Sequence, residues 1–293
     1  MLEALAIQVV GGLSRGMVLF IVAAGLTLIF GSLRIANFAH GAIYMLGAYL
    51  AFSVSRVLGF GTTGFLLALV LAPVMVGLVG YVIDRWLLRP ISDRSHYYQI
   101  ILTYAIALII ADLTKMIWGA SYHSAPRPPF LADAYLFGSV VVPAYSLFLI
   151  GVGLACFVVI HVVFNRTLFG ARVRASVLDG EMLGALGANV RQLQSKVFVL
   201  GCMLAGFGGA LSAPSGSVSL GMNHAVIIES FAVVLIGGVG SVVGALVGSL
   251  LVGVAQAVGV LIVPEFSATL IYVILGLVII FRRNGLFGRG LSA

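Results

Sequence analysis

The densest polar chemistry in the chain lies in Arg34-Ile35-Ala36-Asn37-Phe38-Ala39-His40-Gly41, where a cation, a carboxamide and an imidazole fall within seven positions between two apolar runs. Two readings stand. In one, Arg34 anchors an interface while Asn37 and His40 stitch a broken helix together. In the other, a discontinuous segment turns backbone dipoles and these side chains toward a solute path. Asp112 lies inside a further apolar run, and Glu229 sits near the start of another. Carboxylates in such surroundings are costly and need protein or water partners, so both are candidates for a path or gate. Asp112 and Lys115 are three apart and can pair on one helical face. Glu229 also fits an outer interface beside Asn223 and His224. Thr27, Thr103 and Gln256 add hydrogen-bonding groups, and Gln256 joins Asn37, His40, Asp112 and Glu229 as a path or gating candidate.

Several chemistries are excluded by what surrounds these groups. The glycine-rich stretches at 206–209 and 237–240 lack the lysine and hydroxyl of a phosphate-cradling loop, so nucleotide binding by this chain is unsupported. No metal-ligand spacing and no nucleophile-base arrangement is present, so no metal and no catalytic residue is expected. Cys156 and Cys202 both sit in apolar runs and read as packing residues. Gly237, Gly238 and Gly240, followed by Gly244 and Gly248, suit either close helix packing or a flexible segment beside a path.

The elements that hold these groups follow from hydropathy. Of 293 residues, 61% are apolar and 9% charged, and the mean hydropathy is +1.19. Soluble domains carry roughly 25% charged residues. A chain with so few charges must turn much of its surface to lipid. The expected fold is therefore all-α: a polytopic transmembrane bundle of about eight or nine spans, with room for broken or re-entrant segments. Candidate spans are 6–30, 38–56, 62–83, 97–118, 140–163, 196–214, 225–240, 242–262 and 266–281, within one membrane domain over 1–293. The first residues lack a basic stretch ahead of the apolar run, and Gly11, Gly12, Ser14 and Arg15 interrupt it, so a retained N-terminus is expected rather than a signal peptide.

Basic residues orient the spans. Arg85, Arg89 and Arg94 share one connection, Arg166, Arg172, Arg174, Arg191 and Lys196 another, and Arg282, Arg283 and Arg289 the tail. The positive-inside rule makes all three cytoplasmic, with the C-terminus inside and the N-terminus outside. The 119–139 connection, with Arg127, Asp133, Pro126, Pro128 and Pro129, reads as an external, extended or turning segment. Within the cytoplasmic segment 164–195, Leu178, Met182 and Leu186 recur every four residues as an apolar stripe. Asp179-Gly180-Glu181 can start a helix that ends near Gly187. Such a helix either lies against its own bundle or docks on a partner.

Four blocks carry a resemblance to a known family. They are Gly25-Leu-Thr-Leu-Ile-Phe-Gly31 with Ile35–Gly41 and Met45–Tyr49; Arg174–Gly187 leading into Leu204–Ala210; Leu235–Ser241 with Gly244 and Gly248; and Arg283–Gly288. Together they resemble the permease subunits of bacterial branched-chain amino acid importers of the ATP-binding cassette type, specifically the shorter of the two paired permeases. The resemblance implies a bacterial cell (inner) membrane location and translocation of branched-chain or related small amino acids. It implies a second homologous permease or a second copy, two cytoplasmic ATPase subunits that use ATP, and an extracytoplasmic solute-binding protein. No cofactor of this chain's own and no nucleic acid is implied. It also assigns Asp179, Glu181, Met182, Leu186 and Gly187 to ATPase coupling. There Glu181 and Gly187 keep the outer positions of the family's Glu-Ala-Ala…Gly pattern, while Met182 and Leu183 replace the alanines. Glu229-Ser230-Phe231 is a departure, because similar permeases often carry lysine at that first position. Related permeases for urea and short amides keep the substrate class broad. The competing readings are an ion-coupled secondary transporter using Asp112 or Glu229, and an assembly subunit without a path.

Overall fold

The computed structural model describes residues 2–33, 35–92, 94–138 and 140–288. Arg34 and Arg289 lie outside the described residues. Among the described residues eleven α-helices dominate, in the order α1 Leu2–Leu33, α2 His40–Leu58, α3 Thr62–Ile83, α4 His96–Trp118, α5 Ala144–Arg166, α6 Leu168–Leu178, α7 Gly180–Ala185, α8 Val190–Ser212, α9 Met222–Gly237, α10 Val242–Ile262 and α11 Leu270–Phe281. All nine expected spans are helices. Seven of them are long and apolar enough to cross a membrane, whereas α9 and α11 are shorter. α11 has 12 residues, about 18 Å of rise against a hydrocarbon core of about 30 Å. It is shortened because Pro264–Phe266 forms a separate 3-10 turn ahead of it.

The fifth expected span also starts late. Val140–Pro143 is a strand, β3, paired antiparallel with β2 Ala134–Phe137. Three consecutive valines favour an extended backbone, and Pro143 then stands at the cap of α5. Between residues 119 and 138 the connection is a mixture of extended stretches and bends, with one 3-10 turn at Pro129–Leu131. Its strand β1, His123–Ser124, pairs with β4, Ser217–Val218. His123 stacks with Tyr49 and Phe52, and Trp118 Nε1 donates to Ser53 Oγ at 2.6 Å. This pins the connection onto α2 and α4.

Lipid tails are as apolar as leucine, so helices in a membrane gain little by hiding apolar surface from one another; close backbone approach takes over that role. α8 is where the chain uses this most. A Cβ on Gly47 would lie 2.5 Å from Gly206, and one on Gly25 would lie 2.6 Å from the Gly201 carbonyl oxygen. A Cβ on Gly80 would lie 2.8 Å from Cys202. α8 thereby touches α2, α1 and α3. Cys202 is a buried free thiol, and Cys156 is free as well. α1 packs on α10 in the same manner, with Gly12 and Gly16 facing Gly253 and Ser249.

These contacts also set direction. α1 runs antiparallel to α8, with Gly25 against Gly201 and Val22 against Gly208. At the end where α3 stops, Asp84 is buried and accepts hydrogen bonds from Ser195 at the start of α8 and from Arg89 at 3.0 Å. The turn between α9 and α10 meets Gly31 of α1 at this end, and Leu286 and Phe287 donate to the Ile236 and Gly237 carbonyls. All the basic connections read from the sequence therefore gather at one end of the bundle.

Replacing Gly47 with valine would force methyl groups into the Gly206 backbone, which is not a flexible neighbour. The expected loss is about 1–3 kcal/mol or more, read as a lowered midpoint of thermal unfolding in detergent. Gly11→Ala, with no atom within 4 Å of the added carbon, should leave the midpoint unchanged.

Candidate functional site

α1 and α2 are separated by a true break. Ile35–Ala39 is not helical, and its backbone groups are met from elsewhere. Thr103 of α4 donates to the Ala36 carbonyl at 3.3 Å. Asn37 Oδ1 accepts from the Ala39 amide at 3.2 Å, and the Asn37 carbonyl accepts from the His40 amide at 3.2 Å. His40 Nε2 lies 2.9 Å from the Val22 carbonyl oxygen. A carbonyl only accepts, so Nε2 carries the proton. Asn37 and His40 are wholly buried and hold the break against α1. Neither lines a cavity described here.

The cavity lies elsewhere. About 400 Å³ opens between α1, α2, the far end of α8 and the start of α9, on the side away from the basic end. Val18, Leu19 and Val22 of α1, with Met222, Ala225 and Val226 of α9, give it an aliphatic wall. Ser212, Ser215 and Ser217 form its rim, and Ser217 belongs to the strand held by β1. Tyr44 of α2, buried, also lines the cavity.

Two charges face one another in this wall. Arg15 Nη2 donates to Glu229 Oε1 at 2.6 Å, with the Arg15 side chain 58% exposed and that of Glu229 15%. Gln256 of α10 donates from Nε2 to the same oxygen at 3.4 Å, and its own Oε1 is buried without a partner. α9 carries Glu229 here because it begins beside α2; a Cβ on Gly41 would lie 2.3 Å from the Asn223 carbonyl oxygen. Glu229 thus lines the cavity.

Of the five path candidates, the structure brings together Glu229 and Gln256. Asp112 stands on the outward face of α4, exposed, and no ion pair joins it to Lys115 among the described residues. Arg15 was legible only as an interruption of the first apolar run. Its signal was a lone cation in a 32-residue apolar helix, which needs a partner somewhere in the bundle.

At the basic end, α6 and α7 connect α5 to α8 and pack on the bundle through Val173 and Leu183. Asp179 caps α7, its Oδ1 accepting from the Met182 amide at 2.9 Å, and its own amide closes α6 by donating to the Ala175 carbonyl. Gly187 ends the turn at φ +86, donating to the Gly184 carbonyl at 2.9 Å. The helix expected between Asp179 and Gly187 is therefore present. The stripe is split, because Leu178 closes α6 while Met182 belongs to α7. All three of its residues are nevertheless exposed, at 84% for Leu178, 59% for Met182 and 78% for Leu186. In the glycine group, Gly237 and Gly244 pack backbone to backbone, Gly248 faces Val233, and Gly238 and Gly240 adopt positive φ.

Comparison with known proteins decides the family. Residues 8–282 match the family described as "Branched-chain amino acid transport system / permease component". The chain belongs to that family. The high-affinity branched-chain amino acid transport system permease protein BraD of Pseudomonas aeruginosa is 28% identical over 299 residues, covering 96% of this chain and 95% of that protein. LivH of Escherichia coli K12, with the same description, is 24% identical over 294 residues with the same coverage. The L-arabinose permease AraH of Azospirillum brasilense is 30% identical over 211 residues, covering 69% of this chain and 58% of that protein.

The cavity geometry has a direct check. In a background with Cys156 and Cys202 replaced by serine, Ala225→Cys and Glu229→Cys should react with a membrane-impermeant thiol reagent supplied from the Ser212–Ser217 side. Asn37→Cys and His40→Cys should stay unlabelled.

Proposed function

We propose that this chain is the membrane-spanning permease subunit of an ATP-driven importer that carries branched-chain or closely related small amino acids into a bacterial cell. The observation that carries the reading is the family match over residues 8–282, joined to relatives of that description aligned over nearly the whole chain. The basic end is cytoplasmic by the positive-inside rule. The cavity then opens outward, the N-terminus is external and the C-terminus internal. A solute-binding protein docks on the outer rim, and the ATPase pair engages the inner end.

The exposed trio Leu178, Met182 and Leu186 fits the ATPase contact. An aliphatic patch on two short helices is unstable facing water and is satisfied by a groove on a cytoplasmic partner. Asp179, Glu181 and Gly187 shape that element, the first by capping α7 and the last by turning the chain into α8. Movement there passes into α8, whose other end rims the cavity. This chain supplies a path and its gates; ATP is bound and hydrolysed by the partners.

A second permease, either homologous or another copy, covers α4. Ile101, Tyr104, Leu108 and Asp112 are exposed along this helix, and a bare carboxylate turned to lipid is costly. Covering it with protein removes that cost.

The test is uptake by the complete assembly in liposomes. Leucine should accumulate only with ATP and the binding protein present, and Met182→Arg with Leu186→Arg should abolish uptake while the permease still folds. Accumulation without ATPase subunits under an imposed proton gradient would replace this reading with ion-coupled transport.

A further inference from the structure

The charged pair in the cavity wall has no structural task that its position explains. A pair that only fastened α1 to α9 would be covered, as Asp84 is at the other end of the bundle. Arg15 instead has more than half its side chain exposed, at the edge of about 400 Å³ of space. Glu229 is held more firmly, by α9 and by Gln256. One partner is largely covered and the other is exposed to the cavity.

Resting on the reading above, we propose that Arg15 and Glu229 form a head-group exchange site for a zwitterionic α-amino acid entering the cavity. The substrate carboxylate takes the Arg15 guanidinium, which presents a planar fork of donors suited to it. The substrate ammonium takes Glu229. Gln256, donating from Nε2 to that carboxylate, holds it in place. Val18, Val22 and Val226 then meet an aliphatic side chain.

The charge balance favours this class of solute. Empty, the pair is neutral because each charge answers the other. A zwitterion is also neutral, and it exchanges one ion pair for two, so no net charge enters the membrane. An uncharged sugar or amide would have to part Arg15 from Glu229 and leave both charges without an ionic partner, which is expensive away from bulk water. A lone amine or a lone carboxylate satisfies one side and strands the other. The site therefore selects on both ends of the head group, while the aliphatic wall tolerates several small side chains.

The experiment uses the purified full-length chain in lipid nanodiscs, without partners, and reads weak binding by saturation-transfer NMR. The probes are L-leucine, its decarboxylated analogue isoamylamine, its deaminated analogue 4-methylpentanoate, and L-arabinose. Wild type should bind leucine more tightly than any other probe. Glu229→Gln and Arg15→Gln should each weaken leucine by roughly tenfold or more, the loss of one charged hydrogen bond. Asp112→Asn on α4 should leave leucine binding unchanged.

Arg15→Lys keeps the charge and controls for misfolding; it should bind leucine more tightly than Arg15→Gln and more weakly than wild type, because an ammonium lacks the planar fork. Leucine binding unmoved by both neutralising variants, absent in wild type, or matched by isoamylamine or arabinose would overturn the site. If the complete assembly imports leucine while any of these holds, the exchange site falls and the importer reading stands. If the nanodisc result is as expected but the assembly imports no amino acid, the site stands and the importer reading falls.

Discussion

Contact between glycine backbones is the constraint on which the rest of this bundle depends. Where a side chain would normally separate two helices, Gly47 meets Gly206, Gly25 meets Gly201 and Gly237 meets Gly244. Because lipid offers no hydrophobic reward for association, these approaches gain their stability from dispersion contacts that a single methyl group would break. They also fix the axial register of the helices. With α8 seated against α1, α2 and α3 at glycine positions, sliding any of these helices by one residue would put side chains where backbone now sits.

That register explains where the polar groups go. The break at Ile35–Ala39 lies inside the bundle, so its backbone groups cannot turn to water and must be met by Thr103, Asn37 and the groups around them. His40 is sealed there against α1. At the basic end, Asp84 is buried but answered by Arg89 and Ser195. In the wall where α1, α2 and α9 diverge, beyond the glycine contacts of α8, space opens beside charged side chains. The cavity is the place where close packing stops.

The two ends of the molecule are joined by one rigid element. α8 starts at the Asn189 cap, whose side chain accepts from the Gln192 amide at 2.9 Å, immediately after the turn at Gly187. It ends at Ser212, on the cavity rim. The exposed α6–α7 element and the cavity are thus separated by a single continuous helix packed on three others.

Composition and periodicity were sufficient for the helical membrane class, the nine apolar segments, the grouping of basic connections at one end and the capped helix after Asp179, because each depends on local hydropathy, charge or backbone preference. The break before His40 was legible too, since polar residues interrupt apolar runs there. Residues brought together across long separations were not. Arg15 and Glu229 are 214 positions apart, and nothing local in either segment says that they meet. Nor does sequence show that Asp112 faces outward while Asn37 and His40 face inward, because an apolar helix in lipid has no polar side to betray its orientation. The tertiary structure decides these matters through the glycine contacts, which set the rotation and depth of each helix and so determine which lone charge finds a partner, which finds a cavity and which is left on the outside.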